Sequence, residues 1–293
     1  MVKKVVFFNF FHNGDLHVSR NFVKEISKIC IERGIPCEYY FECFPGILDD
    51  IENVKFVREK ETEFMYSTPS FIRDDVLYFN TWYAANQEAY NKYKISFDTL
   101  FYGFKPVCQM LDINLRKLDV LSLFPSINYE KFPIENAKQW LGLHNKKRVF
   151  VSNGDVSSEQ AVNFSMAPII NKLAEKHKDI DFLISNETPE INNRENIFLT
   201  KNIIQKDGND LNENSYLASN CFVIVGRYSG SYTYSITREN YFDNPKKFIA
   251  FTNLDAVWTY NYTDKPKADI LFFNENEENK VYKLISDNIF RNL

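Results

Sequence analysis

The sequence predicts an α/β protein built from two Rossmann-like, doubly wound domains. In the first half of the chain, short apolar runs alternate with segments of helical periodicity. A break containing Pro125, Asn128 and Pro133 follows, and the same alternation then starts again near Val149. Two successive domains with right-handed crossovers account for this order. We therefore predict one domain over residues 1–144 and a second over residues 145–293.

The first predicted domain begins with a buried strand over Lys4–Phe10, whose centre is a run of four apolar residues. The segment Ser19–Arg33 has one apolar face and is followed by Gly34, so it is predicted to be a helix that stops there. The remaining predicted elements are strands over 36–41, 75–80 and 120–124, a chain break at 44–46, and a helical region over 97–118 with a kink or boundary at Pro106.

The second predicted domain is preceded by a short amphipathic helix over 135–143. Its first strand ends in the turn Asn153-Gly154-Asp155, which repeats the earlier Asn13-Gly14-Asp15. The last helix, over 274–292, is amphipathic, and it could pack back on the first domain. The other predicted elements are strands over 181–185, 196–200, 221–226, 248–252 and 270–273, and helices over 166–177 and 211–219.

Composition limits the class of protein. A net charge of −4 argues against a general nucleic-acid-binding protein, which is usually basic. The five cysteines are odd in number and form no CxxC pair, so they indicate buried free thiols and a reducing compartment. The N-terminal apolar run is too short for a signal peptide or a membrane span. We expect a cytoplasmic protein with no transmembrane segment, for which peripheral membrane contact stays open.

Several common active-site motifs are absent from the sequence. It contains no Walker A loop and no Gly-x-Ser-x-Gly elbow, which argues against a P-loop ATPase and a typical α/β-hydrolase. No Cys/His cluster has the spacing of a zinc site. Asp179-Ile-Asp181 has the form of an Asp-x-Asp metal motif, but it enters a strand after a helix instead of leaving a strand, so we predict no metal site there.

A first candidate site follows the first predicted strand. Asn13-Gly14 is a turn signal, and Ser19 is the predicted N-cap of the next helix. Ligands of α/β proteins bind at the carboxyl ends of the strands. The polar side chains crowded into this predicted loop are His12, Asp15, His17 and Arg20.

A second candidate site follows the buried run Cys221–Gly226, where the chain continues as Arg227-Tyr228-Ser229-Gly230-Ser231. A strand that stops at a glycine and passes through small residues into a helix is typical of a phosphate cradle. Arg227 adds a guanidinium that can fork onto a phosphate. An ordinary strand-to-helix turn is the alternative interpretation.

These segments resemble a known family. Asn13-Gly14-Asp15-Leu16-His17 resembles the Gly-Asp loop after the first strand of heptosyltransferase-like enzymes. The helix 211–219, the strand ending at Gly226 and the turn Ser229-Gly230 are similar to the donor-site pattern of their second domain. That family has the GT-B fold, in which two Rossmann-like domains face each other across a cleft. Its usual turn has Asp, Ser, Gly, Pro and then His; here the acid, the proline and the histidine are missing.

The resemblance implies a glycosyltransferase that moves a hexosyl or heptosyl unit from a nucleotide sugar to a glycan or lipid-linked acceptor, as in polysaccharide biosynthesis. Inversion is expected, with no metal or other cofactor. The first domain would hold the acceptor, with Asp15 as the base and His17 or His12 as alternates. The other acceptor-side residues would be Asn13, Gly14 and Arg20. The expected donor-binding residues are Asn153, Gly154, Glu213, Arg227, Ser229, Gly230 and Ser231.

Alternatives stay open for several of these residues. Asp15 could simply form a turn, the two histidines could serve loop hydrogen bonding, and Glu213 could serve the helix dipole. The turn at 153–155 could lead into a helix cap at Ser157 or Ser158 with Glu159. The aromatic segment 258–262 could stack on a sugar or pack in the core.

Two other functions are compatible with the same architecture. A catalytically inactive nucleotide- or sugar-binding protein is favoured by the acid and the histidine missing from 227–234. A nucleotide-sugar epimerase would need more acid and base groups than the sequence places at strand ends.

Overall fold

The protein is α/β, as predicted, and a computed structural model describes residues 2–41, 46–58, 65–157, 160–253 and 266–290. The described chain divides into two compact units, with the division between Ile127 and Asn128. Several predicted features lie outside the described residues: Phe44 and Pro45 of the predicted break at 44–46, the cap residues Ser158 and Glu159, and the segment 258–262.

The strands are β1 Lys4–Asn9, β2 Cys37–Phe41, β3 Lys55–Arg58, β4 Phe71–Arg73, β5 Val76–Asn80, β6 Lys147–Ser152, β7 Ile180–Ile184, β8 Ile197–Leu199, β9 Val223–Arg227, β10 Lys247–Phe251 and β11 Asp269–Phe273. The α-helices are α1 Asn13–Glu32, α2 Gln87–Tyr93, α3 Phe97–Met110, α4 Glu135–Leu143, α5 Ala167–Lys176, α6 Thr200–Ile204, α7 Leu211–Ser219, α8 Gly230–Tyr234 and α9 Glu278–Phe290.

The first unit contains a five-stranded sheet in the order β3-β2-β1-β5-β4. β1 pairs in parallel with β2 on one side and with β5 on the other, and β4 is antiparallel to β5. The register places Phe8 opposite Asn80, so the chain leaves β1 and β5 side by side. Helix α1 packs on β1 and β2. In the core, Phe104 meets Phe22 and Phe79 edge to face, at ring-centroid distances of 5.2 and 5.0 Å.

The second unit contains a fully parallel six-stranded sheet in the order β11-β10-β9-β6-β7-β8. Numbered from β6, this is the 3-2-1-4-5-6 order of dinucleotide-binding Rossmann folds. The order reverses between β6 and β9, and ligands of such sheets bind outside the carboxyl ends of the strands at that switch point. The second candidate site begins where β9 ends, at this point of the sheet.

The last helix packs within the second unit. Val281, Ile285 and Ile289 of α9 are buried in the cluster that also contains apolar residues of α5 and the sheet. The apolar face of this helix is therefore covered within its own unit. Helix α4, which the sequence assigned to the first domain, packs against α6 and α7 of the second unit. The boundary between the two units therefore follows residue 127, which is 17 residues before the end of the predicted first domain at residue 144.

Three predicted elements differ from the structure. Helix α1 begins at Asn13, six residues before the predicted start at Ser19, so Asn13-Gly14 lies within the helix and is not a turn. The predicted strand 120–124 is a 3₁₀ helix over Val120–Leu123, because the Asp119 carboxylate accepts from the Leu121 N–H and caps it. Helix α3 contains Pro106 without a break and ends at Met110.

Gly226 fixes the approach of β9 to β6. It lies opposite Ser152, and its φ is 154°. A Cβ atom at this position would stand 2.0 Å from the carbonyl oxygen of Ser152, which belongs to the backbone and cannot swing away. Only glycine therefore fits this position of the switch point.

We predict that Gly226→Ala lowers the free energy of unfolding by at least about 3 kcal/mol, because it combines a forbidden φ with a backbone clash. Chemical denaturation followed by circular dichroism measures this. Gly142→Ala is the matched control, since an added Cβ there meets nothing within 4 Å; it should be neutral or stabilising. Equal effects of the two substitutions would contradict the prediction.

Candidate functional site

Buried asparagines mark the carboxyl ends of β1 and β5 in the first unit. Asn9 is fully buried, and its Oδ1 accepts from the Phe11 N–H at 3.0 Å. Asn80 does the same for the Trp82 N–H at 2.8 Å. Each is a local Asx turn that directs the chain out of the strand. The two strand exits therefore place Phe11 and Trp82 together, and their ring centroids are 5.2 Å apart.

Asp15 lies in the first turn of α1, not in the predicted loop, and is 9 % exposed. Burial raises its pKa from 3.8 to about 7, and hydrogen bonding from backbone N–H groups offsets this in part. A carboxyl group with this pKa changes its protonation state near neutral pH. That property suits a general base, for which the best pKa is close to the working pH.

The other predicted residues of this segment have different environments. His12 is exposed and precedes the first residue of α1, and Asn13 and Gly14 are half-buried in its first turn. His17 is 0 % exposed within α1. The early start of α1 thus places His17 inside the protein, and its role as an alternate base stays a prediction.

Arg20 is a structural residue and not an acceptor ligand. Its side chain is 1 % exposed, and its Nη2 donates to the Ile47 carbonyl at 2.8 Å and lies 3.5 Å from the Asp50 carboxylate. The early start of α1 explains the difference, since residue 20 lies two turns inside the helix and faces the segment 46–51. Arg20 therefore anchors that segment to α1.

Arg227, in the second unit, holds the loop that follows β6. Its Nε donates to the Gly154 carbonyl at 3.1 Å, its Nη1 to the Phe164 carbonyl at 2.7 Å and its Nη2 to the Asn153 carbonyl. Nη2 also lies 3.1 Å from the exposed carboxylate of Asp155. Burial lowers the pKa of the guanidinium, and Asp155 opposes that shift. With most of its N–H groups engaged, Arg227 serves as a clamp and is not the expected fork for phosphate.

Asn153 joins the ends of β6 and β7. Its Nδ2 donates to the Asn186 carbonyl at 2.8 Å and to Thr188 Oγ1 at 3.1 Å, and its Oδ1 accepts from the Asn186 N–H at 2.9 Å. The amide is thus used by the protein itself. Gly154 is packed against Asn186, whose Oδ1 would lie 2.9 Å from an added Cβ. Asn153 and Gly154 shape the site, whereas the expected direct contact with a ligand is not supported by their geometry.

Ser229, which follows β9, contacts the end of the neighbouring strand β6. Its hydroxyl lies 2.8 Å from that of Ser152, across the switch point. Gly230 begins α8, where an added Cβ would meet only Leu211, at 3.9 Å. Ser231 follows in α8 and is 9 % exposed. Ser152 is not among the predicted site residues, since its position at the end of a buried strand is the only sign of it in the sequence.

Glu213 is a buried carboxylate with one free oxygen. It is 0 % exposed, and its Oε1 accepts from Lys206 Nζ at 2.7 Å. Within the described part of the chain, Oε2 has no hydrogen-bond partner. Its helix, α7, packs on β6 and α8, next to the switch point. A buried acceptor without a donor is costly, so an added donor, such as a ligand hydroxyl, would stabilise this carboxylate.

A cavity of about 480 Å³ in the second unit is lined in part by β8, the edge strand of the sheet. Its wall includes Thr188, which Asn153 holds by a hydrogen bond. Trp140 and Phe198 supply aromatic surface, and Asn192 and Asn202 supply amides. The volume and the mixture of apolar and polar groups are typical of a small-molecule site.

Over the described ranges, no group of three or more His, Cys, Asp or Glu residues is arranged to hold a metal ion. In the same part of the chain, no helix combines the length and the apolar character needed to span a bilayer.

We predict that Asp15 makes stability fall as the pH rises from about 4 to about 7. In this range the native state keeps the proton that the unfolded state loses, because the native pKa is raised from 3.8 to about 7. Asp15→Asn removes this dependence. Its free energy of unfolding, measured relative to the wild type, should rise over this range by an amount on the order of 4 kcal/mol.

Denaturant unfolding at a series of pH values measures this difference. Glu88→Gln, which changes an exposed carboxylate of α2, should follow the wild-type pH profile. Parallel profiles for the wild type and Asp15→Asn would show that the carboxyl group titrates normally.

The comparisons with known proteins bear on the fold. No family model matches the sequence, and no curated protein matches it. A glycosyl transferase family 9 protein from Veillonella parvula matches in structure with a TM-score of 0.50 and 9 % identity, over 99 % of this chain and 89 % of that chain. A Listeria monocytogenes protein assigned as a UDP-N-acetylglucosamine 2-epimerase matches with a TM-score of 0.51 and 9 % identity, over 100 % and 89 %.

The Escherichia coli heptosyltransferase WaaC, solved with ADP-2-deoxy-2-fluoro heptose, matches with a TM-score of 0.48 and 9 % identity, over 97 % of this chain and 99 % of that chain. At such identities, structural likeness establishes the fold and not the activity. The α/β architecture of two Rossmann-like units that the sequence predicts, shared by GT-B glycosyltransferases and their epimerase relatives, is therefore confirmed.

Proposed function

We propose that the protein is a glycosyltransferase that moves a sugar from a nucleotide-activated donor to a carbohydrate acceptor. The observation that carries this proposal is Glu213, whose Oε2 has no partner in the described chain, next to the switch point of a Rossmann-type sheet. A carboxylate in such a position is suited to accept hydrogen bonds from the hydroxyl groups of a ribose or a sugar.

The donor binds the second unit in this proposal. The nucleobase of the donor occupies the 480 Å³ cavity, where Trp140 and Phe198 offer aromatic surface. The diphosphate lies near Ser229 and Gly230, at the end of β9. Small residues there leave room for an anion, and the early N–H groups of a helix have no intrahelical acceptor. Arg227 supports the site indirectly, through the loop that it clamps.

The first unit supplies the catalytic base, Asp15, in this proposal. The acceptor hydroxyl attacks the anomeric carbon, its proton passes to the Asp15 carboxylate, and the nucleoside diphosphate departs with the electron pair of the glycosidic bond. A single displacement of this kind inverts the anomeric centre. With the pKa of Asp15 at about 7, a large fraction of the carboxyl is ionised at neutral pH and can accept the proton.

We further propose that transfer needs no metal, that the donor carries a hexosyl or heptosyl unit, and that the acceptor is a glycan or lipid-linked sugar of a polysaccharide pathway. A cytoplasmic location, with peripheral membrane contact if the acceptor is lipid-linked, is consistent with this function.

We predict that one nucleoside diphosphate or its sugar conjugate raises Tm by at least about 2 °C at saturating concentration, since it binds only the native state. A thermal-shift screen of ADP, UDP, GDP and their sugar conjugates, in magnesium and in EDTA, measures this. Glu213→Gln should reduce the shift, because a neutral amide is a weaker acceptor for ligand hydroxyls.

Glu175→Gln is the matched control, since Glu175 is an exposed residue whose carboxylate pairs with Arg194. It should leave the shift unchanged. A flat screen at millimolar nucleotide would overturn the proposed donor site, and a shift that occurs only with magnesium would overturn metal independence.

An epimerase is the second candidate, because the Listeria protein of that assignment has the same fold at a TM-score of 0.51. The bound nucleotide sugar distinguishes the two activities. A transferase leaves the sugar unchanged until an acceptor is added, whereas an epimerase inverts a ring carbon with no acceptor present.

We predict that NMR of the nucleotide sugar shows consumption only after an acceptor is added, and that Asp15→Asn lowers this turnover by about 10²–10⁴-fold while nucleotide binding is retained. Isomerisation without acceptor would establish the epimerase. Nucleotide binding without turnover across a broad acceptor panel would indicate a catalytically inactive binding protein.

A further inference from the structure

Three aromatic rings from separate parts of the chain meet at the carboxyl edge of the first sheet. Phe11 follows β1, Tyr66 precedes β4 and Trp82 follows β5. The ring-centroid distances are 5.4 Å for Phe11–Tyr66, 5.2 Å for Phe11–Trp82 and 5.2 Å for Tyr66–Trp82. We call these three residues the aromatic platform.

The platform is not part of the hydrophobic core. Tyr66 is 43 % exposed, and Phe11 and Trp82 are half-buried. Aromatic side chains that remain accessible in a cluster are uncommon at a surface with no binding role, because burying them elsewhere would be favourable. Their accessibility therefore indicates a surface for a ligand with an apolar face.

The platform adjoins Asp15. The Trp82 indole lies close enough to the Asp15 carboxyl to lower the pKa of that group in part. The ring centroid of Tyr83 lies 6.0 Å from that of Trp82. Burial raises the pKa of the Tyr83 hydroxyl, and the nearby charge of Asp15 raises it further. The His12 ring completes the edge, with its centroid 4.3 Å from that of Phe11.

Two amide groups at this edge have polar atoms without partners in the described chain. They are Nδ2 of Asn9, a residue that is 0 % exposed, and Oδ1 of Asn13. The other amide atom of Asn9, Oδ1, accepts from the backbone N–H of Phe11, which is one of the three platform residues. One donor and one acceptor beside an aromatic surface match a ligand that carries both hydroxyl groups and an apolar face.

The charge of this edge favours a neutral ligand. Asp15 is anionic when ionised, and the nearest arginine in the same helix, Arg20, is 1 % exposed and engaged by Ile47 and Asp50. The groups named above thus include no lysine or arginine that could neutralise a phosphate or carboxylate. An anionic ligand would instead face the Asp15 carboxylate, which is unfavourable.

We propose that the aromatic platform binds an uncharged pyranose ring of the acceptor, with the ring's C–H face stacked on the aromatic surface and its hydroxyls on Asn9 and Asn13. The inference rests on the proposed function and names the substrate class at the Asp15 side of that reaction. Stacking holds one hydroxyl toward the Asp15 carboxyl, so Phe11, Tyr66 and Trp82 determine acceptor specificity.

Saturation-transfer NMR on the full chain tests this proposal. The probes are the neutral methyl β-D-glucopyranoside, methyl β-D-galactopyranoside and methyl N-acetyl-β-D-glucosaminide, and the anionic glucose 6-phosphate and galacturonate. We expect signals from the ring protons of at least one neutral glycoside and weaker or no signals from the anions. Losing a stacked ring costs about 1 kcal/mol, so Trp82→Ala and Tyr66→Ala should weaken binding about fivefold.

Tyr66→Phe, which keeps the ring, should bind as the wild type does. Tyr93→Ala removes a half-buried tyrosine of α2 that stacks on Tyr102 in the same unit, and it should also leave binding unchanged. If Trp82→Ala fails to fold, Tyr66→Ala carries the test, because its side chain is more exposed. Equal binding by wild type and platform variants, or a preference for the anionic sugars, would overturn the inference.

Failure of this inference differs from failure of the proposed function. A nucleotide-dependent Tm shift without glycoside binding would contradict the neutral pyranose as ligand of the platform and would still support the proposed donor site. Glycoside binding without any nucleotide effect on Tm would support the platform and contradict the donor site. The protein would then be a sugar-binding protein.

Discussion

The guanidinium of Arg227 is the interaction on which the second candidate site depends. Arg227 is 6 % exposed at the end of β9, and its N–H groups donate to the carbonyls of Asn153, Gly154 and Phe164. Removing those acceptors would leave the N–H groups of a buried cation unsatisfied, which is far more costly than the loss of any one hydrogen bond. The loop after β6 is therefore held in one arrangement. Because Asn153 belongs to that loop, the position of Thr188 and of the cavity wall follows from the same clamp.

In the first unit, asparagine amides in place of a cation fix the path of the chain after the strands. Asn9 and Asn80 each use Oδ1 to bend the chain two residues beyond themselves, at the ends of neighbouring parallel strands. Asn80 also donates to the carbonyls of Tyr66 and Thr68, both at 2.7 Å. One buried asparagine thereby positions two of the three aromatic residues at that edge. The geometry of the edge is thus set by strand exits and not by helix packing.

Sequence patterns predict the fold well, since apolar runs and helical periodicity locate most strands and the two sheets follow from their order. They predict the location of the candidate residues less well, because polar residues near a strand end can face inward. Asn13-Gly14 is a common turn pair, yet tertiary packing extends α1 through it, and this turns Arg20 and His17 into the interior. Arg227 was correctly placed at a strand end, but only the three-dimensional path of residues 153–164 reveals that carbonyls occupy its donors. The meeting of Phe11, Tyr66 and Trp82 depends on contacts between distant segments, which periodicity does not encode.

The pKa of about 7 at Asp15 has a consequence for calorimetry. A carboxyl group that is partly protonated at neutral pH exchanges a fractional number of protons with the solvent whenever a bound molecule favours one of its two forms. The heat of binding measured at pH 7 then contains the ionisation enthalpy of the buffer, multiplied by that fraction. Titrations of one ligand in phosphate and in Tris would differ in apparent enthalpy while giving the same affinity, and the difference counts the protons that move to or from this edge of the protein.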